Sequence, residues 1–136
     1  MAINLSTLLN SNPAQIVTAT ISAPVSTAST TFVTTGLSAT ITPSSTSSKV
    51  LILVSGSSTG GSGTTPLFTL FRGATQLAGT NWLANGGNVG ISFVDSPNTT
   101  SSTTYTLYFL DSSNPANPVT FCPSGSLASI TLVSVN

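Results

Sequence analysis

The run Lys49-Val50-Leu51-Ile52-Leu53-Val54-Ser55 constrains the fold more than any other part of the chain. It is apolar, rich in β-branched residues, and closed on both sides by Ser, Thr and Gly. Such a run has the length of an ordinary strand and is too short for a stable helix. No polar face alternates through residues 50–54, which predicts a central strand covered on both faces. The other apolar stretches are then read as strands packed around it.

Residues 15–21 read as the first strand, ended by Ala23-Pro24, with a polar connection over 26–31. Residues 31–34 are a short extended piece, followed by a turn at Thr35-Gly36. Residues 37–42 alternate apolar and polar, so one face is buried and the other wet. Residues 55–65 contain Gly60-Gly61 and Gly63 among Ser and Thr, the composition of an exposed loop. It is not a phosphate-binding loop, because no Gly-Lys-Ser/Thr follows it.

A largely apolar strand over 67–71 returns through Arg72-Gly73-Ala74-Thr75 to a hairpin arm at 76–78. Residues 89–94 form a strand that ends in the turn Asp95-Ser96-Pro97-Asn98. Residues 104–110 form a long strand with Tyr105, Leu107 and Phe109 on one face. Residues 119–122 are a short strand and 128–135 the last. About eight to ten short strands with turns between them and no helix predict an all-β chain, an antiparallel β-sandwich of jelly-roll type.

With 136 residues the chain can build one sizeable core, expected over residues 15–136. Residues 1–14 stand apart as an N-terminal arm. Leu5, Leu8 and Leu9 have the i, i+3, i+4 spacing of one helical face, and Asn10-Ser11-Asn12-Pro13 stops any helix. One turn of helix is unstable alone. A frayed end and an anchor docking on a neighbouring subunit or another protein both fit this segment.

Charge narrows the function classes. Lys49, Arg72, Asp95 and Asp111 are the only charged side chains, and the formal net charge is zero. There is no basic surface for nucleic acid. Hydroxyls stand in place of charge, with 24 Ser and 24 Thr. So little charge gives weak protection against self-association, which predicts that much of the surface meets other protein. A neutral extracellular module fits the same composition. Met1-Ala2-Ile3-Asn4 lacks the positive start of a signal peptide, and no apolar run reaches the ~18 residues of a membrane span. A product made in a cytoplasm, with no membrane insertion, is expected.

Several stretches then form a pattern in order and spacing. Thr34-Thr35-Gly36-Leu37-Ser38-Ala39-Thr40-Ile41-Thr42-Pro43 leads through a Ser/Thr loop into Lys49-Val50-Leu51-Ile52-Leu53-Val54. Leu70-Phe71-Arg72-Gly73 follows, and then Asp95-Ser96-Pro97 with Thr103-Thr104-Tyr105. This pattern resembles small β-sandwich modules in tail-fibre and other virion proteins of tailed bacteriophages, especially those of aquatic and cyanobacterial hosts. The resemblance spans roughly residues 15–135. It implies a homotrimeric virion component without a catalytic centre, attached to other virion proteins through its arm. It brings no general ligand motif, so no binding residue is carried across. A large fibre has a long shaft, which this chain lacks, so a short tail fibre or baseplate appendage and a capsid decoration protein are both compatible with it.

The residues themselves exclude much chemistry. The chain has no His and no Glu. A Ser-His-Asp triad and a Cys-His pair are therefore impossible. Cys122 is the only cysteine, so neither an intrachain disulfide nor a zinc cluster can form. No cofactor motif is present. Asp95 and Asp111 each begin a polar turn, which Asx capping explains, and Lys49 and Arg72 are expected to pair with an Asp or extend at the rim.

Binding candidates lie in the loops. Trp82, with Asn85 and Asn88, sits in a Gly/Asn-rich segment suited to stacking on a host cell-surface glycan, to a subunit contact, or to capping the core. Trp82 as a sugar platform would make the chain a carbohydrate-binding module of an adhesin. The loops over 55–65 and 82–88 are the expected contacts with a host surface.

Overall fold

A computed structural model describes residues 15–77, 82–83, 87–113 and 116–136. The arm with Leu5, Leu8 and Leu9, and also Asn85, lies outside the described residues. The strands are β1 (Gln15–Ile21), β2 (Val25–Thr27), β3 (Val33–Ile41), β4 (Lys49–Gly60), β5 (Pro66–Arg72), β6 (Thr75–Gln76), β7 (Trp82–Leu83), β8 (Asn88–Asp95), β9 (Thr103–Asp111), β10 (Val119–Phe121) and β11 (Ala128–Val135). One 3₁₀ turn, Pro123–Gly125, separates the last two. Among the described residues there is no α-helix.

The strands form two sheets that pack face to face as an antiparallel β-sandwich. The first has the order β1-β11-β4-β10-β2, with β8 also on β4. The second has the order β3-β9-β5-β6, with β7 also on β5. β4 is the axis of the first sheet, because Ser55 pairs with Ser129 of β11 on one edge and Gly90 of β8 on the other. Its inward residues Val50, Ile52 and Val54 are buried. They meet Leu70, Tyr105 and Leu107 in one core.

A trio of phenylalanines bridges the sheets. Phe121 of β10 lies 5.5 Å from Phe68 of β5 and 6.5 Å from Phe109 of β9, ring centre to ring centre. All three are fully buried, and each such side chain contributes about 1.5–3 kcal/mol by leaving water. Gly56 makes room for them, since a Cβ there would stand 2.9 Å from the Phe121 ring.

Four expectations change. First, residues 55–65 are not one loop: β4 runs on to Gly60, and only the end forms a turn. β8 and β10 supply ladder partners that outweigh the loop-like composition. Second, Thr35-Gly36 is not a turn between strands but a bulge inside β3, where the register with β9 shifts between Thr34 and Ser38. Gly36 takes φ +81° there, a conformation open to glycine. Buried Thr35 completes the bulge, donating to the Leu107 carbonyl (2.8 Å) and accepting from the Leu37 amide (3.1 Å). Third, the start of the expected polar connection, Ser26 and Thr27, belongs with Val25 to a strand, held by three-residue pairing with β10. Fourth, the described residues cover only one face of β4, and Leu53 is 41% exposed on the other.

Candidate functional site

The described parts of the segments expected to make contacts, residues 55–65 and 87–88, meet at one end of the sandwich. The Ser58 amide donates to the Gly87 carbonyl (2.8 Å), and Ser57 stands opposite Asn88. The turn after β4 is fastened to the loop after β9: Ser113 Oγ donates to the Gly63 carbonyl (2.7 Å) and Asn117 Nδ2 to the Ser62 carbonyl (3.2 Å). Asn88, opposite Ser57, is exposed. The end is a neutral surface of hydroxyls and amides.

Trp82 is placed differently. It pairs with Phe68, whose side chain is buried, and so faces the interior. Its ring meets Phe93 edge-on at 6.4 Å, and it is partly buried against the core. The structure thus brings Asn88 to the surface of this end and turns Trp82 inward.

The opposite end holds most of the charge. Arg72 Nη1 donates to both oxygens of Asp95 (2.9 and 2.7 Å), and the Tyr105 hydroxyl donates to Asp95 Oδ2 (2.7 Å). Asp95 ends β8 in the first sheet, whereas Arg72 and Tyr105 belong to β5 and β9 in the second. The cluster is therefore a polar staple between sheets. Burial, and then the hydrogen bond and charge of Asp95, push the Tyr105 phenol well above its ordinary range. Expectation and structure agree that Arg72 pairs with an Asp. They differ for Asp95, whose side chain serves the staple rather than an Asx cap. Lys49 Nζ donates to Ser96 Oγ at 2.6 Å nearby.

Asp111 is the Asx turn expected: its Oδ1 accepts the Ser113 amide (3.1 Å) and the Thr65 amide (3.3 Å). About 20 Å of β9 separates it from Tyr105, so the two carboxylates do not face each other at the roughly 5–9.5 Å of a glycosidase pair. Among the described residues no group of three or more His, Cys or Asp could hold a metal. Cys122 is buried in a left-handed conformation (φ 55°), and burial raises its thiol pKa, which keeps it protonated.

Hydroxyls pair across strands on both outer faces, as Thr40 with Thr104 (2.7 Å) on the second sheet and Thr18 with Thr131 (3.0 Å) on the first. The second sheet also carries the ring pair Phe71 and Tyr108 (4.1 Å). On the first sheet, one apolar row crosses four of the six strands: Ile16 opposite Val133, Val133 opposite Leu51, Leu51 opposite Val94. Ile16 and Val94 are 67% and 57% exposed. The signal for this row was the missing alternation in residues 50–54, which marks an apolar outer face as readily as a covered one.

The fold and the bonding of these residues define an antiparallel β-sandwich whose charged groups serve its architecture. No model of a known protein family matches the chain, and no curated protein matches it. No helix among the described residues is long and apolar enough to cross a membrane.

Proposed function

We propose that the chain is a non-enzymatic structural protein of a tailed-bacteriophage virion, a short trimeric tail fibre or baseplate appendage that touches the host surface. One observation supports this most. All four charged side chains are among the described residues, and only Lys49 is exposed. Asp95 and Asp111 are buried, and Arg72 is drawn onto Asp95. The surface has almost no field to steer a charged ligand and almost no self-repulsion. It suits lasting contact with other protein and many weak contacts made together by several copies. The likeness of residues 34–54, 70–73 and 95–105 to phage fibre modules supplies the kind of particle.

The working end in this reading is the neutral hydroxyl and amide surface around residues 59–63 and Asn88, with host glycan as its ligand. Light scattering after size exclusion tests the assembly, with a trimer expected. Purified protein is then mixed at micromolar concentration with host cells and, separately, with empty capsids. Adsorption to cells is the expected result. Binding to capsids alone would replace the fibre by a head decoration protein, and a monomer that binds neither would sink the virion reading.

A further inference from the structure

We propose that copies of this chain join edge to edge through the first sheet, β8 of one copy pairing antiparallel with β1 of the next. The number of copies, three, rests on the virion reading; the joint itself does not. β1 and β8 are outer strands of this sheet, which runs β1, β11, β4, β8 across its wide part. Among the described residues nothing pairs with the far side of either strand. An open strand edge is a template for another chain unless something blunts it. The other edges are blunted. β3 carries the bulge between Thr34 and Ser38, β2 has three residues, and β6 and β7 have two each. β1 and β8 have seven and eight residues, uninterrupted registers, and neither proline nor a basic residue. Their one charge, Asp95, is turned inward onto Arg72 and Tyr105.

The ladders show which groups face out. Along an antiparallel strand, alternate residues bond to the neighbour on one side and the rest point to the other side. The Ser58 amide donates to the Gly87 carbonyl, directly opposite in the β4–β8 register, so Ile91, Phe93 and Asp95 also bond to β4. Gly90, Ser92 and Val94 therefore direct their amides and carbonyls away from β4. On its other side β4 bonds through the alternate set, as where the Cys122 amide donates to the Ser57 carbonyl (3.0 Å). Leu53 and Leu51 belong to that set and bond to Thr131 and Val133. Ile130 and Leu132 of β11 are then left to bond to Ala19 and Val17 of β1. Ile16, Thr18 and Thr20 direct their amides and carbonyls outward.

Seven residues of β1 fit inside the eight of β8 in two antiparallel registers. Only one of these sets the outward groups opposite each other. It pairs Ile16 with Val94, Thr18 with Ser92 and Thr20 with Gly90, and each such pair can exchange two backbone hydrogen bonds. The side chains agree with this register. On the outer face the two exposed ends of the apolar row, Ile16 and Val94, meet. Thr18, which already shares a hydroxyl bond with Thr131, meets the Ser92 hydroxyl. On the inner face Val17 meets Phe93, Ala19 meets Ile91 and Ile21 meets Val89, all apolar. Val17, Ala19, Ile21 and Phe93 lie at the margin of the core. Matched cross-strand pairs of this kind are what stabilise a sheet. β1 and β8 run in opposite directions within one chain. Rotation about an axis along the strands therefore brings β8 onto the next β1 antiparallel, and repeated joints can close a ring.

The test is disulfide trapping with Thr18→Cys and Ser92→Cys in one full chain. Within a chain these positions are three strand spacings apart, about 14 Å, too far for a disulfide. Disulfide-linked species at two and three times the chain mass are expected. They should form about tenfold faster than with Thr40→Cys and Ser92→Cys, because Thr40 is exposed on the second sheet. Equal rates would overturn the joint. In a second measurement, Ser92→Lys should give monomers by light scattering with an unchanged circular dichroism spectrum. Adding Thr18→Asp should restore assembly through an opposite-charge pair across the joint. A wild-type monomer at micromolar concentration, or a trimer that Ser92→Lys leaves intact, overturns the joint. Neither result touches adsorption to host cells or capsids, so the joint can fail while the virion reading stands.

Discussion

Asp95 and Asp111 are both buried, both end a strand, and are held in opposite ways. Asp95 takes its bonds from side chains far away in sequence, Arg72 and Tyr105, and crosses from one sheet to the other. Asp111 Oδ1 accepts two main-chain amides, one of them only two residues on. The first carboxylate fixes how the sheets sit on each other. The second fixes a loop. A buried charge needs compensating donors either way, but only the donors from another sheet make it a tertiary constraint.

The largest effect should come from Asp95→Ala. It strands the Tyr105 hydroxyl and the Arg72 guanidinium together, and about 3 kcal/mol of stability should be lost in urea unfolding. Combined with Tyr105→Phe it should be clearly non-additive, and additivity would mean that the staple is not one unit. Asp111→Ala should lose less, about 2 kcal/mol, because the freed amides of Thr65 and Ser113 lie near water. Its cost should add to that of Asp95→Ala within about 0.5 kcal/mol, given the ~20 Å of β9 between the sites. Strong coupling would break the comparison.

Next comes pH. The Tyr105 phenol is raised in the folded state, so folding holds its proton more tightly than the unfolded chain does. That contribution is whole below the unfolded value near 10 and is lost as pH rises above it, at up to about 1.4 kcal/mol per pH unit. Thermal unfolding between pH 9 and 12 should show this slope, and Tyr105→Phe should reduce it to what the buried Cys122 thiol, also raised, contributes. Arg72→Met should cost least, about 1 kcal/mol, since the guanidinium side chain is 31% exposed and solvent screens it. A loss as large as that of Asp95→Ala would show that the ion pair, not the tyrosine bond, dominates the staple.

Much of the fold was legible locally. Gln15–Ile21, Ala128–Val135 and the buried set Tyr105, Leu107 and Phe109 follow from β-branched runs and period-two alternation. The hairpin at Arg72 closes as expected, with Arg72 opposite Thr75 and Gly73 at φ +57°. What misled was composition. The Ser/Gly stretch after Val54 looks like a linker, yet it is strand to Gly60, because hydrogen bonding to β8 and β10 is indifferent to side-chain polarity. The candidate site was legible only in part. Asn88 is exposed, but whether a loop tryptophan faces water or core depends on its cross-strand partner, and for Trp82 that is buried Phe68.

The sequence by itself determined the class: strands rather than helices, one core, and no acid-base pair built on His or Glu. These depend on residue type and on spacing along the chain. Only the tertiary structure decided that Asp95 meets Tyr105 and Arg72, that Trp82 turns inward, and that Ile16, Val133, Leu51 and Val94 form one row. Each depends on strand register, and a shift of one residue would send every one of those side chains to the other face. Register is chosen by the packing of the whole sandwich, so no local window of the sequence contains it.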